Sequence, residues 1–70
     1  MFNQYQLIRL TEESEGMFKA HPNYQNLSGV LLYLGEIYQM EGHCVISNRS
    51  GEIVWGFHTD SFEAIPEDEL

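Results

Sequence analysis

The chain has 70 residues, 43% of them hydrophobic, and eleven acidic residues against three basic ones give a formal charge of −8. That length holds one domain, residues 1–70, which buries only about 60% of its unfolded surface and leaves no room for a catalytic cleft between subdomains. The acidity argues against direct binding to nucleic acid, whose affinity comes largely from neutralised phosphates, and against anionic membranes.

Gln4 to Leu10 mixes polar and apolar residues and reads as a first strand, with Tyr5 and Leu7 on one face. Thr11 to Asn26 is ambiguous. Thr11 can cap a helix whose first turn carries Glu12, Glu13 and Glu15 at the positive end of the dipole. Gly16 lies inside that stretch, however, and Pro22 ends it and pushes His21 towards extended backbone. The reading is a long loop that can hold a single helical turn, and loops of this length are often functional.

Ser28 to Gln39 carries the continuous apolar run Val30–Leu34 and reads as a long bent strand, with a helix as the competing assignment. Glu41-Gly42 is a turn. His43–Ser47 and Glu52–His58 form a hairpin across Asn48–Gly51, a segment made of turn residues. Pairing Ser47 with Glu52 sets Ile46 opposite Ile53, Val45 opposite Val54 and Cys44 opposite Trp55. One face then holds Cys44, Ile46, Ile53, Trp55 and Phe57. Ser61–Ile65 gives a short last strand, and Pro66 precedes the acidic tail Glu67, Asp68 and Glu69.

The opening "IRLT", the strand "LSGVLLYL", the hairpin "ISNRSGEIVWGFH" and the closing "FEAIPEDEL" together resemble the small SH3-like barrel proteins of bacteria and their phages. The resemblance is one of fold. It implies a mainly β protein, a small five-stranded SH3-like barrel with a long first loop. The proline-peptide function of signalling SH3 domains is not implied, because their Ala-Leu-Tyr-Asp-Tyr opening is missing. Fold alone does not assign function.

Catalysis finds little support. Cys44 alternates into the expected core beside Trp55 and behaves there as a small apolar residue. The single cysteine allows no internal disulfide. His43 and His58 fall on one hairpin face, diagonal to each other, with Glu41 opposite His58, but no Cys-x-x-Cys pair accompanies them. No catalytic residue, metal site or cofactor is expected, and no Gly-rich phosphate loop is present. With no basic region ahead of a long apolar stretch, and the longest apolar run far below the ~18 residues of a membrane span, a cytoplasmic protein is expected.

A surface for another protein remains. Glu12, Glu13 and Glu15, the aromatic residues Phe18 and Tyr24, and the tail Glu67, Asp68 and Glu69 can form one acidic patch with apolar anchors. The plainer alternative is that Phe18 and Tyr24 pin the loop to the core while the acids keep the chain in solution. On the first reading the protein is a non-catalytic module that docks on a basic surface of a partner. Its size and the resemblance suit a phage- or prophage-encoded inhibitor or adaptor, some of which act where nucleic acid would otherwise bind. The competing reading is an assembly protein that forms homo-oligomers through sheet edges exposed at Gln4–Leu10 or at the last strand.

Overall fold

The structure, a computed structural model, describes residues 2–70. It is mainly β: five antiparallel strands with two short helices between the first two. The strands are β1 (Leu7–Leu10), β2 (Leu31–Glu36), β3 (His43–Ser47), β4 (Ile53–His58) and β5 (Phe62–Ala64), in the spatial order β4-β3-β2-β1-β5. β1 therefore lies between β2 and β5. The expectation that Gln4–Leu10 is a free edge is corrected, and the edges are β4 and β5. The sheet is not closed, since β4 and β5 do not pair.

Residues 11–27 are more ordered than a loop with one turn. Helix α1 (Glu12–Phe18) begins at Thr11, whose Oγ1 accepts the Ser14 N–H at 3.1 Å and donates to Ser14 Oγ at 2.9 Å. Ser14 is buried and Phe18, one turn on, is half-buried, so α1 has an inward face. Gly16 lies on the exposed side, where its helix penalty of about 1 kcal/mol is offset by the cap and by the acidic first turn. A one-turn helix, α2 (Tyr24–Leu27), follows Pro22 and buries Leu27 completely.

The hairpin register differs from the expected one by a residue. The Gly51 N–H bonds to Asn48 O and the Asn48 N–H to Glu52 O, both at 3.0 Å. The loop is thus the three residues Arg49–Gly51, with Gly51 at φ +83 in the left-handed conformation such loops require. Asn48 Oδ1 stiffens it by accepting the N–H groups of Ser50 and Glu52. Ser47 consequently faces Ile53, Ile46 faces Val54 and Val45 faces Trp55. Gly56, also at φ +83, then forms a bulge, after which Cys44 faces Phe57 and His43 faces His58.

The one-residue slip exchanges the faces. Val54 and Phe57 pack on the core, while Ile53 and Trp55 are 57% and 65% exposed and lie outside it. Cys44 is buried as expected, but beside Phe57 rather than Trp55.

The core consists of Ile8, Leu10, Leu27, Leu31, Tyr33, Cys44, Ile46 and Phe62. Phe2 closes one side with an edge-on contact to Tyr33, ring centroids 5.4 Å apart. No helix among the described residues is long and apolar enough to cross a membrane.

The link from β4 to β5 is only the 3₁₀ turn Thr59–Ser61. In a flat sheet these two edges would be about 19 Å apart at four spacings of ~4.8 Å. A three-residue 3₁₀ turn rises only about 2 Å per residue, so the sheet must curl to bring its edges within reach. The turn is held at both ends: the Thr59 N–H donates to Gly42 O at 2.8 Å and the Thr11 N–H to Ser61 O at 3.0 Å.

The register can be checked by stability. Ile46→Ala is expected to cost about 2–5 kcal/mol in urea unfolding. Trp55→Thr is expected to change stability by no more than about 0.5 kcal/mol, and a Trp55 cost as large as that of Ile46 would return Trp55 to the core.

Candidate functional site

The chain has three cationic side chains, Arg9, Lys19 and Arg49. Arg9 lies on β1 opposite Glu63 of β5. Its Nε donates to Glu63 Oε2 at 2.8 Å, while Nη1 and Nη2 donate to Glu69 Oε1 and Oε2 at 3.0 and 3.2 Å. This fork ties the closing 3₁₀ turn, Glu67–Glu69, to the sheet. The two carboxylates raise the Arg9 pKa, and the guanidinium in turn lowers that of Glu69 through hydrogen bonds and charge.

Around this fork the chain forms an open cleft of about 700 Å³, a volume ordinary for a binding site. Its apolar lining comes from Leu7 and Leu10 of β1, Val30 ahead of β2, and Ile65 and Leu70 near the C-terminus. The charged groups at its border are Arg9, Glu15, Arg49 and Glu69. The first connection and the closing segment therefore meet here, each with one of its expected acids, Glu15 and Glu69.

The other expected residues divide into two sets. Glu12 and Glu13 on the first turn of α1, and Glu67 and Asp68 on the closing turn, are exposed. Among the described residues their carboxylates have no hydrogen-bond or ion-pair partner. Phe18 and Tyr24 are half-buried against the core instead of standing free. Phe18 meets Phe57 and His21 edge-on, with centroids 5.5 and 5.7 Å apart. The Tyr24 hydroxyl donates to Glu15 Oε1 at 2.9 Å, a bond that raises the tyrosine pKa. The apolar groups available to a ligand are the aliphatic cleft residues, which the sequence scatters over β1, the β2 approach and the tail. No local pattern in the sequence signals their convergence.

The remaining reactive groups are arranged as follows. Cys44 is fully buried, its Sγ donating to Phe57 O at 3.4 Å, and burial aided by Glu36 pushes its pKa up to about 11. His43 and His58 face each other directly rather than diagonally, with ring centroids 5.3 Å apart. His43 Nδ1 is 3.2 Å from Glu41 O, and His58 Nδ1 accepts the Asp60 N–H at 3.2 Å. Among the described residues, no group of three or more His, Cys, Asp or Glu converges as a metal site. No protein-family model, curated protein or solved structure matches the chain.

Two measurements follow from these environments. The Cys44 thiol is expected to resist alkylation in the native protein at neutral pH and to react on unfolding; rapid native labelling would show that it is exposed. The Arg9–Glu69 contact has its full strength above the ordinary glutamate pKa of about 4.3 and is lost as the pH falls through the lower folded value. Carboxyl NMR of Glu69 should titrate below its value in Arg9→Gln, and identical titrations would remove the fork.

Proposed function

We propose that the chain is a non-catalytic protein-binding module of SH3-like barrel form, which docks its acidic first-helix and closing segments, with the cleft where they meet, on a basic surface of a partner. The fold reading is supported by the β4-β3-β2-β1-β5 order and by the curl that the short β4–β5 link imposes. The observation that carries the functional reading is the cleft itself. Its aliphatic lining is bordered by Glu15 and Glu69, one from each acidic segment, together with Arg9 and Arg49, while the carboxylates of Glu12, Glu13, Glu67 and Asp68, outside that lining, have no partner among the described residues.

A complementary ligand places an apolar side chain in the cleft and lysine or arginine residues on either side. Burial of the anchor supplies affinity, while the rim charges steer association and make it salt-sensitive. Glu69 and Glu15 serve a second purpose here: occupied by Arg9 and Tyr24, they fix the walls. Small size and strong acidity suit an inhibitor or adaptor that covers a basic surface, and a phage or prophage origin is the setting we infer for it.

The test replaces acids that have no hydrogen-bond or ion-pair partner among the described residues. Glu12→Lys, Glu13→Lys and Asp68→Lys combined should keep the native circular dichroism and cost no more than about 1–2 kcal/mol, the share of the two first-turn acids of α1 in the helix dipole. In affinity capture from lysate they should remove a basic protein that the wild type retains, and affinity for that protein should fall at least about tenfold, a loss of ~1.4 kcal/mol. A partner bound equally by both forms would overturn the acidic-surface reading.

A further inference from the structure

β4 leaves one edge of the sheet unpaired, and the two residues most exposed on its outer face are apolar. Ile53 and Trp55 alternate away from the core, and half-buried Val45 lies directly across from Trp55. Their backbone groups are also available. Asn48 and Glu52 form a hydrogen-bonded pair, so alternation makes Ile46–Val54 the next bonded pair. The N–H and C=O groups of Ile53 and Trp55 therefore point away from β3, towards the open edge.

We propose that β4 pairs antiparallel with β4 of a second copy of the chain, about a two-fold axis at Val54. Ile53 of each copy then faces Trp55 of the other and the free backbone groups of both are satisfied. The four side chains join into one apolar patch. This goes beyond the cleft reading and does not rest on it, since neither Ile53 nor Trp55 lines the cleft.

Charge permits the pairing in a chain of −8. From Ile53 to Phe57 the strand bears no charged side chain. The nearest acids lie outside that stretch, Glu52 at the hairpin and Asp60 beyond His58. Antiparallel docking about Val54 sets Glu52 of one copy near Gly56 of the other, so the paired stretch brings no two carboxylates face to face.

The same geometry limits the assembly to two. The bulge at Gly56 ends the regular stretch, so only Ile53–Trp55 is offered and the register is confined to one centre. The opposite edge, β5, is three residues long and is followed closely by Pro66, which provides no second strand for growth. An isologous contact of this kind closes as a dimer.

Trp55 is the only tryptophan, so its fluorescence reports this surface alone. Sedimentation equilibrium from micromolar to millimolar protein should show the mass rising from 8.1 kDa towards twice that value. Over the same range Trp55 emission should shift to the blue, and hydrogen exchange at the Ile53 and Trp55 amides should slow. Ile53→Lys should abolish all three changes while keeping the circular dichroism of the wild type. A monomer throughout the range would overturn the proposal. So would a dimer that leaves Trp55 emission and those amides unchanged, or one that survives Ile53→Lys.

Discussion

The shortness of the link between β4 and β5 constrains everything else. Two strands that are neighbours in sequence occupy opposite edges of the sheet, and three residues in a 3₁₀ turn join them. Only a strongly curled sheet satisfies that connection, and the curl is what encloses a core in so short a chain. Phe62, the first residue of β5, can then share that core with Cys44 and Ile46 of β3, although two strands separate β3 from β5 in the sheet. The helices α1 and α2 close the concave side with Phe18, Tyr24 and Leu27, so a connection that could have been a mobile loop becomes part of the packing.

The electrostatics follow a similar economy. With so few cations, the chain uses one of them to hold its C-terminal segment. Arg9 reaches from an internal strand to carboxylates on β5 and on the final turn, an arrangement that a fork-shaped guanidinium satisfies and a lysine would not. The acids divide into those that shape the cleft and those that only face solvent. The two acids that border the apolar concavity, Glu15 and Glu69, are the ones held by Tyr24 and Arg9.

Strand content, the hairpin and the buried run in β2 are legible in the sequence because each follows local pattern or turn chemistry. Helix α1 is harder to read. Its cap at Thr11 is visible, but Gly16 and Pro22 count against a helix until packing shows that Gly16 faces solvent and that the helix ends before Pro22. The hairpin register misleads for a different reason. Alternation groups Ile53, Trp55 and Phe57 as the bulkier set, which argues for burying all three. The three-residue loop ending at Gly51 and the bulge at Gly56 each change the parity, so that Val54 and Phe57 share the inner face instead. The cleft is the least legible part, since its aliphatic lining comes from separate segments that only the curl assembles.

The position of Leu70 has a practical consequence. Its side chain borders the cleft, and the Arg9 fork holds the preceding residue in place. Any peptide joined after Leu70 must leave the protein past the mouth of that cleft. An affinity handle or fluorescent fusion attached there would sit where a ligand enters, and the Glu69 carboxylate would be tethered to a moving mass. Phe2, by contrast, packs on Tyr33 and borders a separate depression with Thr59, Asp60 and Phe62. The amino-terminal side is therefore the end from which the chain can be immobilised with the cleft left open.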